Sequence, residues 1–241
     1  ALAAICSYLL FWFALSFLVI SFGKSSGFNV AALIACWVVL NILAPALVNV
    51  YVSWKYPVPE ALETVVQQRE GYHEKWDMDK QATMDKFFHH YPQFRKYPFP
   101  QDAQFSWFWY YAMQQMGDDT AEKGAAGMAV KLQQRLRFTN AAAMVLPGIQ
   151  TTLRLNEIAG ADLQHHLDYR AALKNYHEKI RLYFYPLIFK GAASSEADWN
   201  RFDMAYFKKT DTGQCWQLVS VLLFALALAY VARRNFRKQL E

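Results

Sequence analysis

Cysteine is scarce. Only Cys6, Cys36 and Cys215 occur in 241 residues, the first two inside long apolar runs and the third at the edge of another. The polar middle of the chain therefore has no disulfide framework and must be held by packing. Phosphate-cradling loops are missing too: neither G-x-x-x-x-G-K-[ST] nor G-x-G-x-x-G occurs, so the chain lacks the signature of an ATP-hydrolysing domain. No G-x-S-x-G marks a nucleophile elbow. The zinc-protease pattern needs a second His four residues after His-Glu. It fails twice, because His73-Glu74 is followed by Asp77 and His177-Glu178 by Arg181. Period-two alternation, the mark of half-buried strands, is also rare, which points to an all-α chain.

Charge is absent where it matters most. Residues 1–22, 28–52 and 215–232 carry no Asp, Glu, Lys or Arg. At 1.5 Å per residue each approaches or exceeds the thickness of a bilayer core, so each is expected to be a transmembrane helix. Residues 23–27 form a short polar turn between the first two. Residues 53–214 are as polar as a soluble protein and hold 20 Lys and Arg against 19 Asp and Glu, a surplus of one. The rest of the +5 net charge lies at span borders, on Lys24 and on the 233–241 tail with Arg233, Arg234, Arg237 and Lys238. Such placement sets membrane orientation and leaves no basic patch for nucleic acid. It predicts a cytoplasmic 23–27 turn, a cytoplasmic C-terminal tail and an extracytoplasmic domain over 53–214. Tyr51, Trp54, Tyr56 and Trp216 sit where aromatic belts form. Residue 1 is already inside an apolar run with no charged region before it, so a cleaved signal peptide is a poor fit and the expectation is a chain that starts part-way through a longer protein.

The middle reads as helices. Apolar residues recur near a 3.6 period from Leu62 to Phe87, and Tyr91-Pro92 is expected to end that helix. Tyr97-Pro98-Phe99-Pro100 reads as a loop. Phe105–Met116 reads as a short aromatic helix, with Asp118 or Asp119 capping a separate one that runs toward Pro147. Gly160 is expected to end a short helix and Asp162 to cap the last long one, which Pro186 should kink or end. Ser195 with Asp198 resembles a capping box for a helix through Phe207.

Few residues announce chemistry. His89-His90 and His165-His166 are adjacent pairs that would suit Cu or Zn only if the fold brought both pairs together; singly they read as surface or interhelical histidines. The carboxylates mostly neighbour lysines at helical spacing, which reads as a solvated face. No ionisable group lies in mid-span, which argues against a proton-coupled carrier. Asn41, close to Pro45, is the most interesting polar residue in a span. It is a candidate for lining a pathway, the other reading being a hydrogen bond to a neighbouring helix.

Phe13–Asn29 (FALSFLVISFGKSSGFN), the exit Tyr56–Pro59 (YPVP), Leu146–Tyr169 (LPGIQTTLRLNEIAGADLQHHLDY) and Phe184–Phe189 (FYPLIF), in an order of span, turn, span, insert and span, resemble the last three of six spans of a bacterial ABC-2-type permease. The family resembled is one often given as a domain of unknown function, or loosely linked to multi-copper enzyme maturation. The resemblance implies a permease subunit in the bacterial inner membrane with its insert in the periplasm. It also implies a second permease subunit, surrounding lipid, and cytoplasmic ABC ATPase subunits that bind the ATP, this chain holding no cofactor. It supplies no site residue. Two other readings compete. A receptor or sensor would pass a signal through the last span, although nine residues after Ala232 are few for a signalling module. A membrane-anchored metal-dependent enzyme would use the histidine pairs.

Overall fold

A computed structural model describes residues 1–58, 61–97, 99, 105–202, 207–208 and 216–240, and every regular element among them is helical, so the chain is all-α. The elements are α1 (Leu2–Ile20), α2 (Ser26–Lys55), α3 (Ala61–Asp77), α4 (Lys80–His90), α5 (Trp107–Ala143), α6 (Pro147–Ile158), α7 (Leu163–Phe189) and α8 (Trp216–Leu240). Among the described residues three stretches are long and apolar enough to cross a membrane: Leu2–Ile20, Ser26–Lys55 and Leu218–Gln239. Pro59, Pro98, Pro100, Cys215, the side chain of Trp216 and residues 203–206 of the helix expected through Phe207 lie outside the described residues.

The chain divides into two compact units. One comprises Ala1–Pro57, Leu132–His166 and Lys209–Glu241; the other comprises Val58–Lys131 and Leu167–Lys208. The first unit thus takes in residues 132–166 along with the three apolar helices.

Within the first unit α1 and α8 pack along their length. Phe11 stacks on Phe224 at 5.7 Å, Phe17 meets Phe236 edge-on at 5.2 Å, and Ala14 and Ala225 are buried between the helices. Small residues at such a seam let two backbones approach closely. Past the last ring pair, Asn235 Nδ2 donates to Ser21 Oγ (3.1 Å) and Gln239 Nε2 to the Ser21 carbonyl (2.9 Å). Residue numbers rise together along both helices, so they run parallel, and Lys24 falls at the same end as Arg233, Arg234, Arg237 and Lys238.

Helix α2 starts at Ser25, whose Oγ accepts from the Phe28 N–H (3.4 Å), and winds wider over Val39–Leu43, where five residues form a π turn closed by Ala44 N–H to Val39 O. The next donor in that pattern would be residue 45, but Pro45 has no N–H, so the Leu40 carbonyl loses its i+5 partner. Proline therefore acts here beside a widened turn. Helix α6 packs on α1 and on this turn. It buries Pro147, Gln150 and Arg154 while Leu155 and Ile158 are exposed, as are Met144 and Val145 just before it. It thus buries two polar side chains, and its exposed side mixes Leu155 and Ile158 with Thr152 and Asn156.

Helix ends follow the expected chemistry in several places. Asp162 Oδ1 accepts from the His165 N–H (2.9 Å) at the start of α7. Gly160 (φ +67°) closes α6, with Ala161 N–H bonded to Asn156 O at 2.9 Å, the long bond of a left-handed glycine cap. Helix α4 stops at His90, before Pro92.

Four expectations need correction. The helix expected from Leu62 to Phe87 is two, because Asp79 Oδ2 takes the Ala82 N–H (3.0 Å) and caps a new start. Phe105–Met116 is no separate helix: α5 runs unbroken from Trp107 to Ala143, since packing outweighs the weak propensity of its glycines. Asp118 and Asp119 therefore cap nothing. Of the two effects expected of Pro186, ending the helix is excluded, because α7 continues through it to Phe189, whose ring is locked in the core of the second unit. Around Ser195 and Asp198 the chain forms only short 3-10 turns at Ser194–Glu196 and Trp199–Arg201, where Glu196 Oε1 accepts from Ala193 N–H and Asp198 Oδ1 from Asn200 N–H.

Candidate functional site

The second unit is built around aromatic rings. Phe87, Phe94, Phe108 and Phe189 are buried together, with Met84, Met113 and Tyr185. Three helices bring polar groups to the edge of this cluster. Gln115, Asp118 and Asp119 occupy one side of α5, because positions four apart share a helix face. Tyr91 follows α4, and Arg181 and Tyr185 lie one turn apart on α7.

The groups form one chain of hydrogen bonds. Tyr185 Oη donates to Gln115 Oε1 (3.1 Å); Gln115 Nε2 donates to Tyr91 Oη (2.9 Å) and to Asp119 Oδ1 (2.7 Å); Tyr91 Oη donates to Asp119 (3.0 Å). Tyr72 of α3 donates to Asp118, and Arg181 to Glu178. Burial, then the negative charge of Asp119, pushes the Tyr91 hydroxyl up to about 12, and burial pushes Tyr185 up further. Both phenols stay protonated at any physiological pH and so keep donating. The Arg181 guanidinium lies 5.6 Å from the ring centres of both Tyr91 and Tyr185, a cation–π arrangement.

Two cavities meet at this network. One, of about 530 Å³, is walled largely by Tyr111, Phe184, Leu187, Ile188 and Trp199; the other, of about 520 Å³, is edged by Asp119, Glu122, Arg170 and Lys174. Gln115, Asp118, His177 and Arg181 line both. The first, mostly apolar with a few convergent polar groups, has the usual form of a small-molecule site, whereas the second is lined mainly by charged and polar side chains.

A family model described as Domain of unknown function (DUF3526) matches residues 61–206, more than half of the chain. The chain belongs to the DUF3526 family. Every residue of the polar network lies within the DUF3526 stretch, as do both cavities. No curated protein and no solved structure matches the chain.

The residues singled out from sequence fall elsewhere. His89 and His90 close α4 in the second unit, with ring centres 5.9 Å apart. His165 and His166 open α7 in the first unit. Among the described residues no three His, Cys, Asp or Glu side chains converge as a bound metal ion requires. Asn41 sits in the π turn of α2, where its Oδ1 accepts from Tyr8 Oη of α1 (2.9 Å) and its Nδ2 donates to the Trp37 carbonyl (3.2 Å). Pro45 lies one turn on. The start of α6 presses on the same place: a Cβ at Gly148 would stand 2.8 Å from Asn41 Oδ1 and 3.6 Å from the Leu40 carbonyl.

That contact makes a prediction. Gly148→Ala must displace an amide anchored at both ends, so it is expected to cost about 1–3 kcal/mol, as overpacking does. Unfolding of the full chain by SDS in mixed micelles measures it. Combining it with Asn41→Ala should recover most of the loss; a Gly148→Ala protein as stable as the parent would show that the helices do not meet there.

The network around Gln115 was missed from sequence because its carboxylates look like a cap. The only signal was spacing. Gln115 and Asp119 stand four apart, and Asp118 lies two turns beyond Tyr111, the end of the aromatic run Trp107–Tyr111.

Proposed function

We propose that this DUF3526 chain is the membrane-spanning permease subunit of an ATP-driven ABC-type transporter. It works in the bacterial inner membrane with a second permease subunit and with cytoplasmic ABC ATPase subunits that hold the ATP. The chain itself is not an enzyme in this reading. The observation that carries the proposal is the parallel pairing of α1 and α8. Two spans that run the same way, with α2 returning between them, require Lys24 and the four basic residues after Ala232 to share one membrane face. That face is cytoplasmic by the rule that basic residues stay inside, which leaves most of the DUF3526 stretch in the periplasm, with α6 packed against the spans. A permease of the ABC-2 type has this order of elements.

Two further features support it. Helix α6 leaves Leu155 and Ile158 exposed, with Met144 and Val145 just before it, and such side chains suit contact with lipid. Helix α2 buries Val52 alone among its residues and so offers most of its surface to lipid or to a second permease subunit. ATP-driven closure of the ATPases would rock the spans against one another, a rigid-body change of the kind common in transporters.

The test is isolation of the native complex in mild detergent. A nucleotide-binding subunit that co-purifies in about equal amount, with ATP hydrolysis in the preparation, is the expected result. Recovery of the chain with no such subunit in any detergent overturns the proposal. Recovery with a kinase in its place would restore the receptor reading.

A further inference from the structure

Sixteen residues from Phe138 to Leu153 carry no charge, between Arg137 and Arg154. The run is a little short for a span and Pro147 interrupts it, so by length it matches a segment that dips into a bilayer and returns. Its contacts with α2 give its depth. Arg135 Nε donates to the Tyr56 carbonyl, just past the end of α2 (2.7 Å). Phe138 lies against Tyr51 at 4.7 Å. Gly148 meets Asn41 Oδ1 and the Leu40 carbonyl, where an added Cβ would stand at 2.8 and 3.6 Å. As residue numbers rise along α5 and α6 they fall along α2, so the segment follows α2 back from its end to its middle. Asn41 stands halfway along that 30-residue helix. The aromatic border at Tyr56 is fifteen residues on, about 22 Å of helix. A hydrocarbon core is about 30 Å thick, so Asn41, and Gly148 with it, lies near the middle of the bilayer.

The chemistry of the turn suits that place. Backbone that leaves a helix at membrane depth must be satisfied within the protein. The N–H groups of Met144, Val145 and Leu146 donate to the carbonyls of Ala141, Ala142 and Ala142 (3.2, 3.2 and 3.1 Å). The next residue, Pro147, has no N–H to leave unmet. Thr139, Thr151 and Thr152 donate their hydroxyls to the carbonyls of Arg135, Pro147 and Gly148, four residues back. Met144 and Val145 project at the tip, Val145 with 67% of its surface exposed. Aliphatic side chains so exposed at that depth meet hydrocarbon at no cost. We propose that residues 138–153 form a re-entrant helical hairpin, which enters the bilayer from the side of the DUF3526 domain and rests Met144 and Val145 on lipid acyl chains near the midplane. The inference rests on the reading of α1, α2 and α8 as spans and needs no ATPase.

The test places a nitroxide on the full chain in lipid nanodiscs, with Cys6, Cys36 and Cys215 changed to Ala. Labels go on Val145→Cys, on Ile42→Cys of α2 and on Leu173→Cys of α7, all at exposed positions. Power saturation then reads collisions with oxygen, which concentrates in hydrocarbon, and with a neutral nickel chelate, which stays in water. At 145 and 42 oxygen should collide several-fold more often than the chelate, and at 173 the order should reverse. Met144→Cys should behave as Val145→Cys does, and it carries the test if that variant fails to fold. The chelate prevailing at 145 while oxygen prevails at 42 overturns the hairpin and leaves the spans standing. The chelate prevailing at 42 as well removes the spans with it. Few collisions with either reagent at 145 would mean that protein covers the tip, which overturns the lipid contact.

Discussion

Phe87→Ala is expected to remove about 3–5 kcal/mol of stability, the range for deleting a fully enclosed aromatic ring. Phe87 is wholly buried and its ring centre lies within 6.2 Å of those of Phe88, Tyr91, Phe94, Phe108 and Phe189. These partners come from α4, the turn after it, α5 and α7, so one side chain ties together segments far apart in sequence. The cavity left by truncation has rigid neighbours on every side and cannot collapse easily. Urea unfolding of the full chain in mild detergent, followed by the fluorescence of Trp76, Trp107 and Trp109, measures the loss. Phe87→Leu, which keeps most of the volume, should cost markedly less. A loss below about 1 kcal/mol for Phe87→Ala would mean that the ring is not enclosed as described.

Gly117→Ala should be nearly as damaging, at about 3 kcal/mol, the upper end of ordinary overpacking. A Cβ there would stand 2.1 Å from Tyr72 Cδ1 and 2.4 Å from Cε1, distances no carbon pair tolerates. Either the ring swings out, giving up its hydrogen bond to Asp118, or α3 and α5 move apart. Separation is resisted nearby, where a Cβ at Gly71 would already touch the Gly117 carbonyl at 3.5 Å. Two glycines thus face each other where the helices cross. The same unfolding assay applies. Tyr72→Ala should abolish the penalty of Gly117→Ala, a coupling that a double-mutant cycle reads directly. Gly127→Ala is the control: nothing lies within 4 Å of its Cβ position, so that change should be neutral or slightly stabilising, as alanine is in a helix.

How far the sequence reveals this molecule depends on the kind of signal. The three apolar helices are legible because lipid demands long uncharged runs, and the first is described to within two residues of its expected bounds. Gly160 and Asp162 are legible because caps are local chemistry. The break at Asp79 is equally local, but an apolar stripe on either side of it suggests continuity. The unbroken α5 was not legible: Gly117, Gly124 and Gly127 weaken a helix by propensity, and only the fit of Gly117 against Tyr72 shows why the first is there. The Arg181 cavity was hidden for the same reason. It is assembled from α5, α7 and the turns near Ser194, and no short stretch of sequence contains it.

The π turn of α2 has a consequence for insertions and deletions. A turn of this kind holds one residue more than the winding around it needs. Deleting a residue between Val39 and Leu43 would let α2 wind regularly throughout, and the side chains beyond would keep nearly their present phase, because the widened turn already takes up about the 100° that one added residue brings. Adding the residue without widening the turn would instead carry Tyr51 away from Phe138, now 4.7 Å off, and the Tyr56 carbonyl away from Arg135 Nε, which donates to it at 2.7 Å. The local irregularity is therefore a phase setting, which brings the far half of the helix into step with residues encoded some eighty positions later.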